Sequence, residues 1–154
     1  MKTKILALLL TSFLVSTSFA SVYTVIGKKI GNPSLIYIQQ TDSIESTGNG
    51  TWTTAVFETT SDKANTNYLK MYIIECDYDN GRLRYLLRKN FFKKGSSSTD
   101  KTVSDWITAT DGSLEKTLLD GAYSGGIYPL RFETESFDEL VEWGRKTLKD
   151  SKRK

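Results

Sequence analysis

Alternation of apolar and polar side chains is clearest over residues 68–92. Two runs, YLKMYIIECDYD and RLRYLLRKNFF, flank Asn80-Gly81. An Asn-Gly pair between such runs is the strongest short-range hairpin signal, because a two-residue type I′ turn needs φ > 0 at both central positions. A two-residue turn there sets Asp79 opposite Arg82, Tyr78 opposite Leu83, Asp77 opposite Arg84, Cys76 opposite Tyr85 and Ile74 opposite Leu87. Side chains alternate between faces, so Ile74, Cys76, Tyr78, Leu83, Tyr85 and Leu87 share a dry face. Ile73, Glu75, Asp77, Arg84 and Arg88 share the other, largely wet one. A one-residue slip would bury Arg84 and Arg88, so this register is well specified.

Elsewhere the pattern is coarser. Ser34–Gln40 and Thr51–Thr60 are rich in β-branched and aromatic residues and read as strands. Thr41–Asn49, Ser61–Asn67 and Lys93–Lys101 are polar and read as loops, and Asn49-Gly50-Thr51 as a turn. Thr102–Thr108, around Trp106, reads as a short strand. Ser113 is a good N-cap for a helix carrying Leu114, Leu118 and Ala122 on one face, with Glu115 near its positive end and Gly121, Gly125 and Gly126 at its close. Ile127–Phe132 reads as extended, and Pro129 confines it to a sheet edge. Ser136 and Glu139 form a capping box for a helix over Ser136–Asp150, with Phe137, Leu140, Val141, Gly144 and Leu148 on its apolar face. The expected fold is α+β: a meander-like antiparallel sheet of about four to six strands, a short helix packed on one face, and an additional C-terminal helix.

Composition changes the picture at the N-terminus. Met1-Lys2-Thr3-Lys4 is a basic start, Ile5–Val15 an apolar run, and Ser18-Phe19-Ala20 carries small residues where a signal peptidase cuts. Residues 1–20 are read as a signal peptide, and 21–154 as a single domain with a C-terminal helix over 136–150 and a basic tail. No cysteine stands just after the cleavage point, so the expectation is an exported chain, periplasmic or secreted and not lipid-anchored. No second apolar run is long enough to span a bilayer. The full chain has 21 basic and 18 acidic side chains. Losing Lys2 and Lys4 leaves 19 against 18, a net charge of +1. A near-neutral body argues against nucleic acid as the main partner.

The chain has no histidine and one cysteine, Cys76. Histidine is the commonest general base at neutral pH and a common metal ligand, so its absence favours a binding or structural module over an enzyme, with no cofactor and no metal. Cys76 reads as a buried small hydrophobe, as one half of an intermolecular disulfide, or as a reactive thiol with no histidine to ionise it.

The order of parts resembles the surface-adhesin protein E family of exported bacterial domains. The matching stretches are Tyr37–Trp52 (YIQQTDSIESTGNGTW), Tyr68–Leu87 (YLKMYIIECDYDNGRLRYLL) and Ser104–Ala122 (SDWITATDGSLEKTLLDGA). The resemblance spans Leu35–Tyr123. It implies an antiparallel sheet with a helix packed on one face, and a disulfide tying the cysteine strand to the end of that helix. Cys76 matches the strand cysteine. No cysteine stands near Gly121–Tyr123, so packing by Ala122 or Tyr123 is expected to replace the cross-link. The resemblance also implies an adhesin-like role toward host or envelope proteins.

Candidate partner-binding residues follow from charge and exposure. Arg84 and Arg88 lie on the expected wet face of the hairpin. Arg145, Lys146, Lys149, Lys152, Arg153 and Lys154 make the C-terminus basic, suited to weak contact with an anionic surface. Trp143 falls off the apolar stripe of its helix and reads as an exposed anchor, while Trp52 and Trp106 read as core. Glu133 and Glu135 are a carboxylate pair that a hydrolase could use. The functional expectation is an exported non-catalytic binding module contacting host or envelope proteins, through its sheet face or the segments Thr41–Thr51 and Lys93–Lys101. The alternative is a periplasmic envelope-associated structural domain whose basic C-terminal tail contacts the outer membrane.

Overall fold

The structure, a computed structural model, describes residues 20–65, 67–124 and 131–151. The leader expected over Met1–Ala20, all but its last residue, lies outside them. The elements run β1 (Ser21–Lys29), β2 (Leu35–Ser46), β3 (Trp52–Thr60), β4 (Asn67–Asp77), β5 (Arg82–Phe92), β6 (Ser97–Asp100), β7 (Ile107–Thr108), α1 (Leu114–Tyr123), β8 (Arg131–Thr134) and α2 (Phe137–Ser151). The fold is α+β. One open antiparallel sheet has the order β6-β5-β4-β3-β2-β1-β8, with β7 pairing β5 beyond β6. Six strands in sequence order make a meander, as expected, but the sheet has about eight strands rather than four to six.

The two helices lie on opposite faces. Ile26, Val56, Ile74, Cys76 and Leu83 pack under Leu118, Leu119 and Ala122 of α1. Val25, Ile36, Ile38, Phe57 and Leu69 pack under Leu140, Val141 and Leu148 of α2. β3 lies between them, and every residue from Thr53 to Thr60 is buried. A strand covered on both sides loses the polar-out alternation of a half-exposed one. Both helices come close to the sheet at glycines. A Cβ on Gly121 would stand 2.2 Å from the Ile26 carbonyl oxygen, and one on Gly144 would stand 2.7 Å from Thr59 Cγ2.

Local caps behave as the sequence indicates. Ser113 Oγ accepts from Lys116 N at 3.0 Å. Ser136 Oγ accepts from Glu139 N at 3.4 Å, but Glu139 does not return to Ser136 N. Thr134 Oγ1 takes that place: it accepts from Ser136 N at 2.9 Å and donates to Glu139 Oε2 at 2.5 Å.

The hairpin differs from its expected register by two residues. Asp77 lies opposite Arg82, Cys76 opposite Leu83, Glu75 opposite Arg84 and Ile74 opposite Tyr85. Asn80 does not take the positive φ a type I′ turn requires; Gly81 alone does, at φ 59. Instead the Asp77 carboxylate accepts from the Asn80 side-chain amide at 2.9 Å and from its backbone N–H at 3.3 Å. This local capture makes a four-residue loop, Tyr78–Gly81, closed by Gly81 N donating to Tyr78 O. A slip of two keeps each side chain on its face, so Ile74, Cys76, Leu83 and Tyr85 remain on the dry side. Tyr78 moves into the loop and is exposed. Leu87 changes sides: a register shift between Ile73 and Ile74 places it opposite Ile73, in a small cluster with Leu86. The same shift carries Arg88 across to the α1 face, opposite Tyr72.

Two expected loops hold strand, and one strand comes from a segment the pattern does not assign. β2 continues to Ser46 because Ser43 Oγ accepts from Ala55 N at 2.8 Å and donates to Gln40 O, so a hydroxyl bridges the irregular pairing. Ser97–Asp100 returns along β5 as β6. β1 precedes every strand the pattern indicates and joins β2 to β8. Of Thr102–Thr108 only Ile107–Thr108 is strand. β8 is an edge, as the extended reading of Ile127–Phe132 requires, though 125–130 lie outside the described residues.

Candidate functional site

The hairpin's second face is built from ion pairs rather than open charge. Glu75 and Asp77 are buried, not wet. Arg84 donates to Glu75 at 2.6 and 2.8 Å, and Thr51 Oγ1 donates to the other carboxylate oxygen at 2.7 Å. Arg82 Nε donates to Asp77 at 2.8 Å. Asp77 therefore pairs with Arg82, not Arg84. Hydrogen bonds from Asn80, then from Arg82, hold the Asp77 carboxyl below its ordinary range. Both guanidinium carbons lie 4.7 Å from the Trp106 ring centroid. Trp106 is thus half-buried against two arginines rather than in a core. Arg84, taken from sequence as a docking cation, already has a carboxylate and an aromatic face.

Arg88 is not beside Arg84. It stands 4.3 Å over the Tyr85 ring and 3.8 Å from Asp100. Around it the α1 face gathers tyrosines and carboxylates that the pattern reading does not single out. Tyr72 Oη donates to Glu58 at 3.0 Å, and Lys70 meets the other Glu58 oxygen at 2.9 Å. Tyr85 Oη donates to Glu115 at 3.2 Å. Burial, with Glu58 and Glu115 nearby, pushes the Tyr37 hydroxyl up to about 12; burial raises Tyr72 and Tyr85 as well. These hydroxyls stay protonated at any ordinary pH. Tyr72 and Tyr85 act as hydrogen-bond donors, and Glu58 and Glu115 each have a hydroxyl partner.

Cys76 is fully buried beneath α1. Burial pushes its thiol from 9.0 up to about 12, with Glu75 adding to the effect. It has no cysteine partner within the chain. Ala122 belongs to the same buried cluster. Tyr123 does not: it is 60% exposed and stacks on Tyr78 with centroids 3.7 Å apart.

The third place is a cleft between α2 and the loop after β3. It encloses about 420 Å³ and is lined by Lys63, Glu142, Arg145, Lys146, Leu148 and Lys149, with Ser61 at one end. Arg145 anchors it. Its Nε donates to Thr60 O at 3.2 Å and its Nη1 to Glu142 at 3.0 Å. Nη2 is buried and has no acceptor among the described residues. Lys93 reaches across to donate to Lys63 O, fixing the loop. Lys149 is therefore part of a site, while Lys152, Arg153 and Lys154 lie outside the described residues. The sequence gives no sign of Lys63, because only the β3–β4 connection brings it to α2.

Trp143 is not an exposed anchor. It is half-buried and stacks on Phe132 of β8, centroids 5.0 Å apart and planes 9° apart. Trp52 packs at the margin of the α1-side core. Glu133 meets Arg131 at 3.9 Å on the exposed β8, and Glu135 is exposed beyond it, so neither lies in a cleft.

No helix among the described residues is long and apolar enough to cross a membrane. Among the same residues no cluster of three or more acidic or cysteine side chains could hold a metal ion. No family model, no curated protein and no solved structure matches the chain.

Proposed function

We propose that this chain is an exported, non-catalytic binding module whose partner carries negative charge and meets the cleft formed by α2 and the β3–β4 loop. One observation carries this reading. A body of nearly balanced charge concentrates Lys63, Arg145, Lys146 and Lys149 around one cleft, with Glu142 as the single acid, already paired to Arg145. Elsewhere on the sheet the buried carboxylates Glu58, Glu75 and Asp77 each have a basic partner. The resemblance to surface-adhesin protein E supports an exported module that contacts host or envelope proteins. The pattern of Met1–Ala20 supports export.

The same cleft favours a second reading, an envelope-associated domain held against an anionic membrane. α2 leads directly into Lys152-Arg153-Lys154. Lys149 in the last helical turn also suits the helix dipole, but Lys63 comes from the β3–β4 loop and has no such role.

Co-sedimentation of the mature chain with anionic vesicles at low and high salt tests the proposal. Binding should weaken steeply with salt, as contacts between exposed charges do. Reversing two exposed charges, Lys146→Glu with Lys149→Glu, should abolish it, and a chain ending at Ser151 should bind more weakly. Equal binding by the charge-reversed variant overturns the proposal. Equal binding by the shortened chain removes the tail from it.

A further inference from the structure

We infer that the Lys63–Arg145–Lys149 cleft is a binding site for a phosphate group, carried by a phosphate monoester or diphosphate. This rests on the binding-module reading and names the chemistry of its ligand.

The cleft is built rather than merely charged. Arg145 is held at two corners, by Thr60 O and Glu142, and its side chain is 12% exposed. The third nitrogen, Nη2, is buried without an acceptor. A buried guanidinium N–H that finds no acceptor among the described residues is a costly feature, and it marks Arg145 as held in place by the wall of the cleft rather than free in solvent. Lys146 and Lys149 reach the same space from α2, and Lys63 from the opposite wall. No described carboxylate forms an ion pair with any of these three lysines. Lys93 Nζ donates to the Lys63 carbonyl oxygen, tying the loop to β5's end.

The donor set selects the ligand. A planar guanidinium beside mobile ammonium groups suits a tetrahedral oxyanion with several acceptor oxygens, since Arg binds phosphate as a fork and Lys as a point charge. A lone carboxylate offers two oxygens and one charge, too few for four cations. The volume of about 420 Å³ exceeds that of a bare phosphate and falls in the range of small-molecule sites.

Calorimetric titration of the mature chain with pyrophosphate, against sodium chloride of matched ionic strength, tests the site. One saturable binding event is expected, and Lys63→Ala should weaken it about tenfold, the size of one lost charge-assisted hydrogen bond. Lys63 is exposed and forms no element, so this variant should keep its fold, which its melting curve checks. Pyrophosphate behaving like chloride, or Lys63→Ala binding like the parent, overturns the inference. Vesicles containing phosphatidic acid, compared with charge-matched phosphatidylserine vesicles, separate the sources. Preference for phosphatidic acid assigns the phosphate to a lipid headgroup. Equal capture together with pyrophosphate binding assigns it to a soluble ester. Equal capture without pyrophosphate binding removes the phosphate site and leaves the anionic-partner reading intact. No binding to any probe removes both.

Discussion

At the scale of single residues, Cys76 shows how the fold decides what a side chain can do. The thiol, on β4, lies fully buried beneath α1. Only the thiolate is a nucleophile, and burial moves its formation up to about pH 12. Native protein should therefore resist maleimide labelling until it unfolds; rapid labelling of the folded chain contradicts the burial. The same shift has a consequence at alkaline pH. The unfolded thiol ionises near 9.0 and the folded one near 12. Its contribution to stability is full below pH 9 and is lost as the pH rises toward 12. Buried tyrosines titrate with the same sign, so the measurement is a difference. Denaturant midpoints of Cys76→Ala and of the parent should converge as the pH rises through this window. A constant gap would contradict the shift. Asp77 is the opposite case: its lowered carboxyl favours the folded state above the ordinary carboxylate range and stops doing so as acid protonates it.

Elements show where local signals suffice and where they fail. Both helices are legible from their caps and stripes, because Ser113 and Ser136 act on N–H groups three residues away. The dry face of the hairpin is legible through Cys76, Ile74, Leu83 and Tyr85, since the two-residue slip preserves parity. Three other features depend on partners distant in sequence. Ser43 hides the continuation of β2, because its hydroxyl bonds to Ala55 rather than to water. Leu87 and Arg88 trade faces at the shift beside Tyr85, whose backbone N–H and carbonyl are both met by Ser104. Exposed polar Ser97–Asp100 carries no apolar period, yet pairs with β5. The candidate site was legible in Arg145, Lys146 and Lys149, but not in Lys63, which arrives by topology. Two substitutions measure the docking of α1. Ser113→Ala should cost about 1 kcal/mol in chemical unfolding, the usual loss of an N-cap. Gly121→Ala should cost about 1–3 kcal/mol, since its methyl would meet the Ile26 carbonyl at 2.2 Å and the helix would have to lift. An unchanged midpoint for Gly121→Ala would mean that α1 does not rest on β1.

On the scale of the whole molecule, a sheet with a helix on each face sorts charge as well as apolar surface. The α1 face and the hairpin face pair their acids with arginine, lysine or tyrosine. The far side of α2 gathers cations from α2 and the β3–β4 loop around a cleft, in a body where residues 21–154 carry a net charge of only +1. That asymmetry is the central claim, and amide chemical-shift mapping of the isotope-labelled mature chain, titrated with anionic vesicles at low salt, tests it most directly. Perturbations should concentrate at residues 61–63 and 142–149 and disappear at high salt. Perturbations centred on Arg82, Arg84 and Trp106 instead, or spread evenly over the surface, would contradict it.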